Sequence, residues 1–155
     1  MSDLDIFNFL LKLGKTSKDS DGIVASCLSL NGKILAATAS ADDGLRHAED
    51  LVLEQARNKG IQINNKMTLY STLEPCCQRD PLKGLEDCTT IIIKSGVRNI
   101  VYAAKDPADS KESRLRCEEN GIKYLQFKNQ RIITESIKLF NSTVVELVNK
   151  IENQN

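Results

Sequence analysis

The apolar residues of the chain follow two spacings along the sequence, one typical of amphipathic helices and the other of short strands. Helical spacing predicts helices over 3–13, over 47–60, over 86–95, over 110–119 and over 131–150. Runs rich in β-branched and aromatic residues predict strands over 23–30, 33–38, 67–73, 97–103 and 122–127. The predicted order is therefore α-β-β-α-β-α-β-α-β-α.

The way these elements are joined predicts a mixed sheet. Asn31-Gly32 joins the first two strands, and this dipeptide is a strong signal for a tight hairpin. The later strands alternate with helices, which favours parallel crossovers. We expect a five-stranded α/β sheet that is covered by helices on both faces. At 155 residues, the chain is expected to form a single domain over 1–155.

The last predicted helix has one continuous apolar stripe. Its members are spaced alternately by four and three positions: Ile133, Ile137, Phe140, Val144, Leu147 and Ile151. Such a stripe indicates the face through which a helix packs on other structure. We expect it to dock on the sheet; the alternative is a subunit interface, which would make the protein a homodimer.

Composition and charge narrow the classes of partner. Lys and Arg together number 21, Asp and Glu also number 21, and aromatic residues make up 5% of the chain. This balance argues against nucleic-acid binding, which depends on a basic surface. No apolar stretch is long enough for a membrane span, and the N-terminus carries acids where a secretory signal carries bases. We expect a cytoplasmic protein, with no membrane partner and with reduced cysteines.

Candidate chemistry is concentrated in three short segments. These are His47-Ala48-Glu49, the segment that ends in Cys76, and Cys88 twelve positions later. One imidazole and two thiolates suit a tetrahedral Zn²⁺ site in which the fourth position is left for water. Helices are predicted to begin near His47 and Cys88. The positive end of a helix dipole lowers a thiol pKa, so these helix ends favour the thiolate form of the cysteines.

Glu49 lies two residues after the candidate histidine ligand. A carboxylate at that spacing cannot easily bind the same ion, but it can project into the same cleft. Zinc lowers the pKa of bound water to about 7, and a neighbouring carboxylate can accept the released proton. Glu49 is therefore the candidate catalytic residue, and a first-turn acid that only favours the helix dipole is the alternative.

The three segments together resemble the zinc-dependent cytidine deaminase-like superfamily. The resemblance is carried by HAE, by LYSTLEPC and by CTTIIIKSGVRNIVYAAKDP, and it spans about residues 21–140. The long loop from Cys76 to Cys88 and the later segments GIKYLQF and ESIKLFN are similar to the riboflavin-pathway pyrimidine deaminases.

This resemblance implies a three-layer α/β/α fold, zinc held by His47, Cys76 and Cys88, and a proton shuttle at Glu49. The implied substrate is an aminopyrimidine nucleotide, the riboflavin precursor 2,5-diamino-6-ribosylamino-4(3H)-pyrimidinone 5′-phosphate. Asp21 aligns where many relatives have an asparagine that meets the substrate. Arg79 and Lys83, in the loop between the cysteines, are candidate contacts to a phosphate.

Two other functions remain open from the sequence. One is deamination of another nucleoside, of a nucleobase, or of a base in tRNA or single-stranded DNA. The other is a non-catalytic module in which zinc only stabilises the fold. Such a structural site would be closed by a fourth ligand, for which Cys77 is the candidate. Cys27 and Cys117 lie in a predicted strand and a predicted helix and are expected to pack in the core.

Overall fold

The computed structural model of the chain describes residues 1–19, 22–42, 46–77, 84–108 and 111–154, with backbone only at 143–148 and 150. The helices are α1 (Asp3–Gly14), α2 (Ala48–Asn58), α3 (Cys88–Ser95), α4 (Glu112–Glu119) and α5 (Gln130–Gln154). The strands are β1 (Ala25–Leu30), β2 (Lys33–Ala39), β3 (Thr68–Leu73), β4 (Asn99–Ala104) and β5 (Lys123–Gln126). Their order is the predicted one, and their ends differ from the prediction by a few residues. None of the described helices has both the length and the apolar character needed to cross a membrane.

The five strands form one mixed sheet in the order β2-β1-β3-β4-β5. β1 is antiparallel to both of its neighbours, whereas β3, β4 and β5 are parallel to one another. The hairpin turns at Asn31 and Gly32, both with positive φ, which is the backbone form that favours Asn-Gly. The predicted mixed five-stranded sheet is confirmed.

Helices cover both faces of the sheet, and each face has its own buried cluster. The first cluster joins the sheet to α2, α3 and α4 and includes Leu28, Val52, Leu69, Ile92, Ile100, Tyr102 and Cys117. The second joins the sheet to α1 and α5 and includes Ile6, Phe7, Leu10, Cys27, Tyr70 and Ile132. Both clusters contain one of the cysteines expected to pack in the core, and burial raises the pKa of each thiol to about 12.

The docking face predicted for the last helix is wrong. α5 turns Ile132, Ser136 and Leu139 toward the protein, and these three side chains are buried. In the predicted stripe, Ile137 is 45% exposed and Ile151 is 53% exposed. Phe140 is partly buried, and Val144 and Leu147 belong to the part of α5 that is described by its backbone only. The two stripes are one residue apart, which on a helix is a rotation of about 100°.

Several strands and one helix start or finish at the same end of the sheet. β3 and β4 finish there, with Leu73 paired to Ala104, and the antiparallel β1 begins beside them, where the Ala25 N–H donates to Thr72 Oγ1. α2 begins near the same end, since Ala48 packs with Leu73 and Ala104 in a small buried cluster. This arrangement brings the candidate residues from three separate segments together.

Candidate metal centre and active site

The sequence predicts His47 inside the first turn of α2, but the structure places it immediately before the helix. It is the N-cap residue of the helix, with an extended backbone (φ −79°, ψ 155°). The side chain makes no capping hydrogen bond, and the helix starts without that help because Glu49 and Asp50 place acids in its first turn. The imidazole is consequently turned toward the two cysteines.

Cys76 and Cys88 are brought together by the end of β3 and the start of α3. The sequence predicts the start of this helix at Glu86, but Asp87 is the N-cap, and its carboxylate accepts from the Thr90 N–H at 2.7 Å. A short side chain that accepts a hydrogen bond from the first turn stabilises a helix start, so α3 begins at Cys88. The Cys88 N–H donates to Cys76 Sγ at 3.3 Å.

The three candidate ligand atoms form a compact cluster. His47 Nδ1 lies 3.5 Å from Cys76 Sγ and 3.3 Å from Cys88 Sγ, and all three atoms lie within 4.8 Å of one another. In tetrahedral zinc sites, Zn–S and Zn–N distances place such nitrogen and sulfur ligands about 3.6 Å apart. The spacing and the donor set therefore fit zinc.

The Cys76 thiol is poised to be a thiolate before any metal arrives. Its pKa is lowered to about 4, chiefly by the hydrogen bond from Cys88, with further contributions from His47 and the Cys88 N–H, and against the opposing effect of burial. A deprotonated thiol is the form that binds a metal ion. Cys76 is thus prepared for metal binding by the fold itself.

Glu49 lies next to the ligand cluster and is 3% exposed. Its Oε1 accepts from the Ser71 hydroxyl at 3.1 Å, and its Oε2 lies 3.8 Å from Cys88 Sγ. Burial raises the pKa of Glu49, while the nearby His47 opposes that rise. The structure therefore places a buried carboxylate against the metal ligands without making it one of the three.

A network of hydroxyl groups is hydrogen-bonded to the backbone next to the two cysteines. Thr89, the residue after Cys88, donates its hydroxyl to the Cys76 carbonyl at 2.8 Å. The Thr89 and Ser113 hydroxyls are 2.8 Å apart, and Ser113 Oγ lies 3.1 Å from the Tyr124 hydroxyl. Tyr124 in turn donates to Glu74 Oε2 at 2.8 Å. We call Thr89, Ser113, Tyr124 and Glu74 the hydroxyl network.

Glu74 organises the backbone at the end of β3. It is 3% exposed and, besides binding Tyr124, it accepts from the Asp106 N–H at 3.4 Å. One carboxylate therefore ties the end of β3 to the chain that follows β4. The sequence does not predict the participation of Ser113 and Tyr124, because their burial and their contacts are seen only in the structure.

The three predicted substrate contacts, Asp21, Arg79 and Lys83, lie outside the described residues. Cys77 is described and half-buried. Within the described ranges, the group of potential ligands consists of His47, Cys76 and Cys88, and Cys77 is not part of it. The fourth protein ligand that a closed structural site would need is not supplied by Cys77 in this arrangement.

Comparison with known proteins agrees with this site. The family described as the cytidine and deoxycytidylate deaminase zinc-binding region matches residues 2–104. Riboflavin biosynthesis protein RibD of Aquifex aeolicus (strain VF5) is 34% identical over 110 residues, which cover 68% of this chain and 28% of that protein. The chain thus spans less than a third of the length of that relative.

Solved structures share the fold at low identity. A diaminohydroxyphosphoribosylaminopyrimidine deaminase/5-amino-6-(5-phosphoribosylamino)uracil reductase from Thermotoga maritima matches with a TM-score of 0.68 and 24% identity, covering 94% of this chain and 43% of that one. Rib2 deaminase of Aspergillus oryzae matches with a TM-score of 0.67 and 17% identity, covering 90% and 91%. The expected α/β fold class is confirmed. Because the family match covers most of the chain, including His47, Glu49 and Cys76, the chain belongs to the cytidine and deoxycytidylate deaminase zinc-binding family.

Proposed function

We propose that the protein catalyses zinc-dependent hydrolytic deamination of an aminopyrimidine nucleotide, namely the riboflavin precursor 2,5-diamino-6-ribosylamino-4(3H)-pyrimidinone 5′-phosphate. The observation that carries the proposed chemistry is the position of Glu49, a buried carboxylate 3.8 Å from Cys88 Sγ in a three-ligand cluster. Three protein ligands with a carboxylate beside them are typical of catalytic zinc sites, whereas structural sites are closed by a fourth ligand.

His47, Cys76 and Cys88 hold the zinc in this proposal. When bound, zinc supplies the Lewis acidity that makes water a nucleophile at neutral pH. The chain contributes one neutral imidazole and two thiolates, and the hydrogen bond from the Cys88 N–H to Cys76 Sγ fixes the geometry of the thiolate pair. The hydroxyl network keeps the start of the loop after β3, which contains Cys76, attached to α3.

Glu49 moves the proton in this proposal. Its carboxylate accepts a proton from the attacking water and returns it to the departing amine. Water adds to the ring carbon that carries the amino group, the carbon–nitrogen bond breaks, and ammonia leaves. The oxygen that transfers the proton is Oε2, because Ser71 already occupies Oε1.

The choice of substrate rests on the similarity to Riboflavin biosynthesis protein RibD and on residues of the loop between the cysteines. Arg79 and Lys83 are proposed to contact the phosphate, because guanidinium and ammonium groups are the usual phosphate partners in proteins. Asp21 is proposed to face the amino groups of the ring, since a carboxylate accepts their hydrogen bonds and repels phosphate.

Ammonia release from a panel of substrates tests this function. The panel contains the proposed ribosylaminopyrimidine 5′-phosphate, its dephosphorylated form, cytidine, deoxycytidine monophosphate, guanine and adenosine in a short RNA hairpin. We expect the highest kcat/KM for the proposed nucleotide and a lower value after removal of its phosphate. Activity confined to cytidine or guanine would contradict the substrate while leaving the deaminase chemistry in place.

The same panel addresses the two alternatives. A nucleic-acid deaminase would act on the hairpin with a strong salt dependence, which a chain of zero formal charge is not expected to show. A zinc-stabilised binding module would release no ammonia from any member. The absence of Cys77 from the ligand group, among the described residues, favours the enzyme.

The remaining expectations concern the whole protein. We propose a single cytoplasmic domain over 1–155 that forms a homodimer through the exposed stripe of α5. Support for the dimer comes from Ile137 and Ile151, which are exposed and lie on the stripe whose four-and-three spacing is typical of paired helices. Light scattering on a size-exclusion column tests this arrangement, and Ile137→Asp is expected to shift a dimer toward monomer.

A further inference from the structure

Two serines face each other in the interior of the sheet, and one of them contacts Glu49. Ser26 of β1 pairs with Ser71 of β3 in the antiparallel register, and both side chains are fully buried. Two residues further along the same strands, Leu28 and Leu69 belong to the buried apolar cluster under α2. A pair of hydroxyls thus replaces apolar side chains at the point where the sheet meets the start of α2.

The hydrogen bonds of this pair run in one direction. The Ser26 hydroxyl donates to Ser71 Oγ at 3.1 Å, and the Ser71 hydroxyl donates to Glu49 Oε1 at 3.1 Å. Each serine has one hydroxyl proton, and each proton is used once. The chain of donors ends on the carboxylate. A buried charged group without hydrogen-bond donors is especially costly, so the donor is placed where it stabilises most.

This contact determines how the two oxygens of Glu49 are used. Oε1 is held by Ser71 on the sheet side, whereas Oε2 is the oxygen that faces Cys88 Sγ at 3.8 Å. A glutamate side chain has three rotatable bonds, and burial alone does not fix the orientation of its carboxylate. The Ser71 hydroxyl fixes this orientation, because turning the carboxylate away would leave a buried oxygen without its donor.

We propose that Ser71, backed by Ser26, is a positioning residue that holds Glu49 with one carboxylate oxygen turned toward the metal ligands. The proposal rests on the proposed function, since it gives Glu49 the role of proton carrier. Ser71 acts through Glu49 and, being fully buried in β3, it is not a substrate contact. Ser26 stabilises the rotamer of Ser71 in which its proton points to Glu49.

Steady-state kinetics provides the first test. Ser71→Ala is expected to lower kcat about tenfold to a hundredfold with KM within about twofold and with unchanged zinc content, because the misplaced group acts in the chemical step. Ser71→Thr keeps the hydroxyl and is expected to recover most of the kcat. Ser26→Ala is expected to have a smaller effect, about threefold, because Ser71 keeps its own proton for Glu49.

Ser136→Ala is the matched control. Ser136 is 1% exposed, and its hydroxyl has no hydrogen-bond partner among the described residues. Removing a hydroxyl there is expected to leave kcat unchanged, so that a loss specific to Ser71 reflects its contact with Glu49. An unchanged kcat in Ser71→Ala, or a loss that appears only in KM, overturns the positioning role.

A double-mutant cycle tests the contact without any turnover. In metal-free protein, Ser71→Ala is expected to raise the unfolding equilibrium constant in urea about tenfold or more, because a buried carboxylate loses its donor. In a Glu49→Met background, the same change is expected to have much less effect. Equal effects in both backgrounds would show that Ser71 does not interact with Glu49, and would overturn the proposal.

The two tests separate the two ideas. A wild-type protein that releases no ammonia from the substrate panel contradicts the proposed function, and the cycle then decides alone whether Ser71 holds Glu49. A protein that is active and shows the coupling, but whose kcat survives Ser71→Ala, contradicts the positioning role and leaves the proposed function standing.

Discussion

The backbone N–H of Cys88 donates a hydrogen bond to Cys76 Sγ at 3.3 Å, which joins the first residue of α3 to the start of the loop after β3. The two candidate ligands are therefore linked through the chain before any ion binds. An N–H donor favours the charged form of the sulfur it contacts, and the positive end of the helix acts in the same direction. The effect should be measurable in the metal-free protein.

Alkylation of Cys76 in metal-free protein should depend little on pH above about 5. Its pKa is lowered to about 4, so the thiolate predominates at all higher pH values and is lost only as the pH falls toward 4. The measurement is the rate of iodoacetamide labelling, followed by peptide mass spectrometry, in a Cys77→Ser background. Cys27 and Cys117, whose pKa values are raised to about 12, serve as internal controls that should stay unlabelled until the protein unfolds.

Protein purified without chelators should contain about one zinc ion per chain. Cys88→Ser should remove most of it, because Cys88 Sγ is one of the three clustered ligand atoms. Cys77→Ser is the matched control and should retain the metal. Inductively coupled plasma mass spectrometry measures both. If Cys77→Ser loses the metal and Cys88→Ser keeps it, the ligand assignment is wrong.

Glu49→Gln should keep zinc and the fold but lose turnover. The amide has nearly the size of the carboxylate and can still accept from Ser71, yet it cannot take a proton from water. Loss of a general acid–base group typically lowers the rate 10²- to 10⁴-fold. Stopped assays for ammonia provide kcat, and metal analysis checks the zinc content. A kcat equal to that of the wild type would leave Glu49 as a first-turn acid.

Ser113→Ala should destabilise the fold and accelerate release of zinc. Its hydroxyl lies between those of Thr89 and Tyr124 in the hydroxyl network, and removing it takes one hydrogen bond from each of these buried groups. A cost of about 1–3 kcal/mol in the free energy of unfolding is typical of such a loss. Urea unfolding measures the stability, and transfer of zinc to a coloured chelator measures the release rate.

Tyr70→Phe provides the control for that experiment. The Tyr70 hydroxyl donates to Asp3 Oδ1 at 2.7 Å, on the face of the sheet covered by α1 and α5. Its removal also deletes a tyrosine hydrogen bond, but it touches none of the candidate ligands. It should leave the rate of zinc release unchanged, and equal acceleration in both variants would show that the hydroxyl network has no specific link to the metal.

The element order, the hairpin and the three candidate ligands follow from local sequence patterns. Spacing alone sufficed for these because Asn31-Gly32 specifies its own turn and because the cysteines flank a predicted strand and a predicted helix. The face of α5 did not follow. The stripe of Ile133, Ile137 and Phe140 is entirely apolar, whereas the face that docks contains Ser136. When two stripes lie side by side on a helix, apolar content alone can therefore indicate the one that does not dock.

Ser26 and Ser71 show a second kind of limit. Nothing close to either residue in the sequence distinguishes it from an ordinary strand serine. Their relation to Glu49 depends on the register between β1 and β3 and on the position of α2 above them, and both are set by packing over long distances in the sequence. A local pattern cannot predict a contact that three separate segments create together.

The order of the ligands along the chain has a consequence for how the protein unfolds. His47 and Cys76 are separated by 29 positions, and Cys76 and Cys88 by 12, so an ion bound by all three would close two successive loops of the chain. Loop closure of this kind removes conformational entropy from the unfolded chain, and the ion would hold α2, β3 and α3 as one unit. Among the described residues, α1 and α5 contribute no candidate ligand. Their amides are expected to exchange with solvent through openings that leave the metal in place, whereas exchange in β3 requires its release.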